Sequence, residues 1–216
     1  MNKNYVLTAI ICVLMLQANA VGQSQDPPPK FEVAAEFTTL ERESFDGRRT
    51  DPGVGARFTY NLNRAISLEA AGYFFPKSCF NCRNPGRVTE VLGGVKVGKR
   101  FDNWGIFAKA RPGVVSFSEG EFNILRAPTN VFTQLDFEQN RVTSFAADLG
   151  GVIEFYPSKR IVTRFDMGDT IIHFTQRTTN GLSFDPATST FILVPIRIPA
   201  RTTNNFQFMA SVGFRF

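Results

Sequence analysis

Asn205-Phe206-Gln207-Phe208-Met209-Ala210-Ser211-Val212-Gly213-Phe214-Arg215-Phe216 is the stretch that decides the fold. Phe206, Phe208, Ala210, Val212, Phe214 and Phe216 alternate with Asn205, Gln207, Met209, Ser211, Gly213 and Arg215. A period of two places the first set on one face of a β-strand and the second on the other. The apolar face carries four phenylalanines and runs to the last residue. A soluble sandwich rarely leaves such a strand uncovered. A strand with lipid outside and a polar lumen inside has this pattern.

The same alternation recurs upstream. Phe31–Leu40 sets Phe31, Val33, Ala35 and Phe37 against Glu32, Ala34, Glu36 and Thr38. Val54–Tyr60 sets Val54, Ala56, Phe58 and Tyr60 against Gly55, Arg57 and Thr59. Ile66–Phe74, Thr89–Gly98, Gly105–Val114, Phe145–Tyr156 and Ile161–Thr170 read alike, so the terminal strand makes eight. Each run is near ten residues, and a tilted strand needs about 9–11 to cross a bilayer. The connections alternate too. Leu40–Pro52, Phe75–Arg87, Ser116–Arg141 and His173–Thr203 read as long loops; Asn61–Arg64, Lys99–Trp104 and Pro157–Arg160 read as short turns. Long loops at one end and short turns at the other describe a transmembrane barrel. Spanning backbone must be paired in hydrocarbon, so the sheet must close. The expected fold is all-β: an eight-stranded closed antiparallel transmembrane β-barrel.

The N-terminus fits export. Met1-Asn2-Lys3 precedes an apolar run from Tyr5 to Leu16 and a small-x-small Ala18-Asn19-Ala20, the layout of a signal peptide over residues 1–20. Residues 21–30 read as a polar, proline-containing linker and 31–216 as the barrel. No segment approaches eighteen consecutive apolar residues, yet 43% of the chain is hydrophobic, with 23 phenylalanines against one tryptophan and one histidine. That composition tells against an ordinary exported enzyme. The net charge of +5 is modest, without a basic block interleaved with aromatics, so nucleic acid is not an expected partner.

On these residues the chain resembles the small outer-membrane β-barrel proteins of Gram-negative-type bacteria, the OmpA-like and OmpX-like barrels. The carriers are Val212-Gly213-Phe214-Arg215-Phe216, the strand parity and the loop parity. The resemblance implies residence in the cell outer membrane; a peptidoglycan-binding domain after the barrel is not expected, a departure from full-length OmpA, and a monomer is expected. The resemblance also implies that Phe214 and Phe216 form the signal read by the barrel-assembly machinery.

The inward set carries Glu32, Glu36, Arg57, Glu69, Glu90, Lys96, Lys109, Arg111, Asp148, Glu154, Arg164, Asp166 and Arg215. An eight-stranded interior is just wide enough for side chains to fill, so a salt-bridged plug is expected, with a gated ion or proton path as the alternative. A tight Pro157–Arg160 hairpin would set Glu154 opposite Arg164 and Val152 opposite Asp166. Glu154→Ala should then destabilise the barrel, and adding Arg164→Ala should recover part of the loss. Cys79 and Cys82 flank Phe80-Asn81 in an external loop. A disulfide is expected there in an oxidising compartment, with free thiols and a redox or metal site as alternatives. His173, beside Thr175, reads as a solvated rim histidine or half of a lipid-hydrolase pair. Asp169 breaks the apolar alternation, and a bulge at Gly168 would turn it inward. Arg42, Arg48, Arg49, Lys77, Arg83 and Arg87 give the first external loops a basic cast that suits lipopolysaccharide phosphates or plain solvation. The expected role is structural or surface-interacting, non-enzymatic and cofactor-free. The alternatives are a narrow channel or small-ligand barrel, and a lipid A-modifying enzyme.

Overall fold

The structure is a computed structural model that describes residues 28–77, 82, 85–126 and 136–216. It contains β1 (Phe31–Ser44), β2 (Gly47–Asn61), β3 (Ile66–Phe75), β4 (Val88–Arg100), β5 (Trp104–Arg126), β6 (Asp136–Phe155), β7 (Ile161–Phe174), β8 (Arg177–Asp185), β9 (Thr190–Ile198) and β10 (Arg201–Arg215). Eight of them close into an antiparallel barrel in the order β1-β10-β7-β6-β5-β4-β3-β2, while β8 and β9 form a separate two-stranded sheet. Closure leaves no unpaired edge within the barrel, which hydrocarbon demands. The terminal strand makes the seam: β10 pairs with β1 from Glu32 opposite Arg215 to Leu40 opposite Gln207. Phe31 and Phe216 exchange two backbone hydrogen bonds of 2.9 Å at its lower end.

Burial alternates as the pleat requires. In β1, Phe31, Val33, Ala35 and Phe37 are exposed while Glu32, Ala34, Glu36 and Thr38 are buried. The apolar side chains are thus outside and the polar ones inside, the reverse of a soluble barrel. Aromatic rings collect near the short turns, where Phe31 packs with Tyr60, Phe58 and Phe216, and Phe101 stacks on Trp104 at 4.3 Å. Such a girdle marks a membrane interface. Narrow barrels curve sharply, and glycines at inward positions admit the curvature. A Cβ on Gly55 would lie 2.3 Å from Tyr73 Cδ1 and 2.4 Å from the Gly72 carbonyl.

Three of the four long connections differ from the expected loops, because the strands run on beyond the apolar belt, while β3 ends at Phe75 and β4 begins at Val88 as expected. β1 and β2 stay paired to Ser44 opposite Gly47, leaving Phe45-Asp46 at the tip, with Gly47 at φ +125°. β5 and β6 continue to Arg126 and from Asp136, with two register shifts. Within His173–Thr203, β8 and β9 pair from Arg177 opposite Ile198 to Asp185 opposite Thr190. In water neither face of a strand needs apolar residues, so the alternation that marks the spanning segments fades there. Cross-strand charge takes its place, as in Arg48–Glu41 at 2.8 Å. Asp169 also differs from expectation. β7 pairs with both neighbours in continuous register through Gly168, so the bulge is absent and Asp169 keeps its outward parity.

Candidate functional site

Two places concentrate chemistry: the lumen and the external end. The lumen is layered. Near the short turns, Arg100 lies 3.7 Å from Glu32 and 3.5 Å from Glu154, and donates to Tyr156 Oη at 2.9 Å. Tyr156 donates to Glu154 at 2.8 Å, and Asn61 to Glu32 at 2.9 Å. Arg215 sits over the Tyr156 ring. At mid-height Lys96 bonds Glu154 and lies 3.6 Å from Glu69. Arg164 grips Asp166, two residues on, with Nε and Nη2, and Glu69 across the lumen with Nη1 and Nη2. Lys109 lies 2.8 Å from Asp148 and 3.3 Å from Asp166. Arg111 reaches Asp148 Oδ2 through Nε at 2.8 Å and Nη2 at 2.6 Å. Arg111 also donates to Tyr73 Oη at 3.2 Å, Tyr73 donates to Glu36, and Arg57 bonds Glu36 at 2.6 Å. Higher still, Gln207 donates to Glu90 at 2.9 Å and to Thr38 at 3.2 Å.

The acids Glu32, Glu36, Glu69, Glu90, Asp148, Glu154 and Asp166 are equal in number to the bases Arg57, Lys96, Arg100, Lys109, Arg111, Arg164 and Arg215, although among the described residues Glu90 is met by Gln207 rather than a cation and Arg215 by the Tyr156 ring rather than an acid. That balance is what a low-dielectric interior requires, since an unpaired buried charge costs several kcal/mol. The register sets Glu154 opposite Arg164 and Val152 opposite Asp166, as a tight hairpin dictates. The two side chains form the expected ion pair, but their hydrogen bonds go elsewhere. Arg164 is 3.5 Å from Glu154 but commits its fork to Asp166 and Glu69, while Lys96 takes Glu154.

Above the polar layers lies an apolar cap that the sequence reading missed. Leu40, Phe75, Val88, Val115, Phe117, Ile172 and Phe174 are all buried at the external end of the lumen. Leu40 closes its expected strand, and the other six continue an inward parity beyond the segments that alternate clearly in the sequence. Arg100 was missed for the same reason, two residues beyond Gly98. Tyr73, Tyr156 and Gln207 carried the inward parity but lack formal charge. Over the cap, Arg42 bonds Asp51 at 3.0 Å and the Gly86 carbonyl at 3.2 Å, and stands over the Phe117 ring.

The external end forms a raised β platform. β8 docks on the extension of β5: Arg177 donates to the Gly120 carbonyl at 3.1 Å, Thr179 to the Phe122 carbonyl at 2.6 Å, and the Asn180 amide to Asn123 Oδ1 at 3.2 Å. β9 is the outer strand, and its Phe191, Ile192, Leu193 and Ile196 are exposed. At the hairpin tip Asp185 accepts from Thr188 Oγ1 at 2.8 Å and the Ala187 amide at 3.0 Å, which holds its carboxyl below the ordinary range.

Other residues singled out by sequence fall as follows. Arg42 is buried; Arg48 is tied to Glu41 and Arg49 to Asp51 at 2.8 Å. The basic cast of the first loop is therefore largely spent within its own hairpin. Arg83 lies outside the described residues. Cys82 is buried, bridges to Ser44 and is disulfide-bonded; Cys79 lies outside the described residues. His173 Nδ1 is 3.0 Å from Thr202 Oγ1 on the neighbouring strand, and no hydrogen bond joins it to Thr175. Among the described residues no group of three or more His, Cys, Asp or Glu is placed to hold a metal. Residues 1–20 lie outside the described residues.

No family model matches the chain, and no curated protein sequence matches it. Among solved structures it is similar to Neisserial surface protein A, with 10% identity and a TM-score of 0.52 over 89% of this chain and 100% of that one. It is also similar to the N-terminal β-barrel domain of Pseudomonas aeruginosa OprF (11% identity, TM-score 0.46, 88% and 100% covered). The attachment invasion locus protein Ail of Yersinia pestis gives 13% identity and a TM-score of 0.46, with 88% and 99% covered. The fold is that of the small eight-stranded outer-membrane barrels. With its exposed apolar belt and charged interior, this chain is a membrane-spanning member of that architecture.

Proposed function

We propose that the chain is an outer-membrane barrel whose work is done at its external surface, with the lumen serving as a structural plug. The observation that carries this reading is the contrast between the two candidate regions. The described lumen is filled with matched charges beneath an apolar cap, while β9 holds Phe191, Ile192, Leu193 and Ile196 exposed on a hairpin braced against β5. Exposed apolar clusters on a folded, rigid support suit contact with a partner surface. They have no part in filling the barrel.

The test replaces Phe191, Ile192, Leu193 and Ile196 together by serine or threonine in cells displaying the barrel. Adherence to an apolar surface should fall, while the heat-modifiable folded form persists on gels. Undiminished adherence, together with steady conductance of the wild-type barrel in planar bilayers, would transfer the function to transport.

A further inference from the structure

We infer that the outward face of β3–β6 at its external rim binds the phosphate of a lipid headgroup. Three rows stack there. Val91, Val114 and Phe145 stand in register at the upper edge of the apolar belt, with Phe74 one step higher beside Thr89, and all four are exposed. One outward step higher, Thr89, Ser116 and Thr143 stand side by side in register, and Thr143 donates to Ser116 at 3.1 Å. A further step up are Arg87, Ser118 and Arg141, where the Arg87 amide donates to Ser118 Oγ at 2.9 Å. Each outward step climbs roughly 6–7 Å along a strand. The sequence apolar, hydroxyl, guanidinium follows the order of acyl chain, headgroup and phosphate in a leaflet.

Phe74, Arg87, Thr89, Ser116, Ser118 and Arg141 line one groove of about 240 Å³, and no carboxylate lines it. The arginines of the first hairpin are tied to Asp51 or Glu41. Neither the Arg87 nor the Arg141 side chain has a hydrogen bond or ion pair among the described residues. Two free guanidiniums facing one groove suit a phosphate, which each can grip with parallel N–H donors. Continuity with the apolar belt through Phe74 favours a phosphate that carries acyl chains over a free anion.

The inference shares the membrane orientation of the proposed function but none of its binding residues, so either can fail alone. Native mass spectrometry of the detergent-solubilised barrel tests it with three probes: bis-phosphorylated lipid A, its dephosphorylated counterpart and inorganic phosphate. Wild type should retain the phosphorylated lipid and release the other two. Arg87→Gln with Arg141→Gln should weaken retention about tenfold or more, the loss expected for a charged hydrogen-bonding group, and the paired lysine variant should fall between. Folding of each variant is checked by its heat-induced change in gel mobility. Should the glutamine pair fail to fold, each single variant is expected to weaken retention. Retention unchanged by the substitutions overturns the site. Equal retention of the dephosphorylated lipid overturns the role of the phosphate, and equal binding of inorganic phosphate overturns the role of the lipid.

Discussion

Removing Glu154 should destabilise the barrel, and the substitution that rescues it should be at Lys96, not at its cross-strand neighbour Arg164. Glu154 is fully buried, bonded to Lys96 and Tyr156 and 3.5 Å from both Arg100 and Arg164. Glu154→Gln leaves Lys96 with Glu69 at 3.6 Å, and Glu69 is already held by the Arg164 fork. Breaking one side of such a pair costs about 3–5 kcal/mol. Adding Lys96→Met removes the stranded charge and keeps the aliphatic stem against Phe107, over which the ammonium now sits at 4.6 Å. About 2–3 kcal/mol should return. Adding Arg164→Met instead strips Glu69 and Asp166 of the guanidinium that hydrogen-bonds both, leaving Glu69 only ion pairs at 3.6 Å to Lys96 and 3.8 Å to Arg111 and leaving Asp166 with Lys109 at 3.3 Å, so that double variant should be less stable than Glu154→Gln alone. The assay is urea unfolding in lipid vesicles under reversible conditions, read by the fluorescence of Trp104, the single tryptophan. Rescue by Arg164→Met equal to or greater than rescue by Lys96→Met would refute the pairing described above and restore the simple cross-strand pair.

Deleting Phe216 removes two backbone hydrogen bonds and a ring contact to Phe31 at the seam; if the terminal residues are also the assembly signal, outer-membrane levels should fall more than the stability of refolded protein does, and normal levels would count against that role. Gly55→Ala should destabilise by about 1–3 kcal/mol, a typical overpacking cost, because the new methyl displaces Tyr73 from Glu36; an unchanged midpoint in the urea assay would show that the ring yields freely. Alkylation of the unfolded protein should modify Cys82 only after reduction, and labelling without reductant would contradict its disulfide. Wild-type barrel in planar bilayers should give no steady current, since Leu40, Phe117 and Phe174 cap a lumen filled with ion pairs; reproducible conductance would require that cap to open.

How far the sequence could be read follows from where water is. Inside the bilayer both faces of a strand are constrained, one by lipid and one by the lumen. Phe206–Phe216 and its seven counterparts therefore alternate cleanly enough to give strand number, polarity and the register of Glu154 against Arg164. Past the belt the outer face is released from lipid, and the extensions of β1, β2, β5 and β6 lost the only signal being followed. The apolar cap is hidden for that reason, because Phe117 and Phe174 fall where alternation no longer marks a strand.

The lumen was legible as a set of residues but not as a set of pairs. Alternation says which side chains point inward, and backbone register says which are neighbours along the wall. A narrow barrel, however, brings opposite walls within reach of a long side chain. Arg164 finds Glu69 across the interior, and Lys96 finds Glu154 on β6 though its own wall neighbours are on β3 and β5. Those partners are set by three-dimensional curvature, to which inward glycines such as Gly55 contribute, and curvature leaves no period in the sequence. The charge balance of the interior is thus a property of the closed barrel as a whole: every charged strand but β7, which carries Arg164 with Asp166, is unbalanced alone, and ion pairs that cross the lumen, such as Arg164 with Glu69, form only when the opposite walls are brought together.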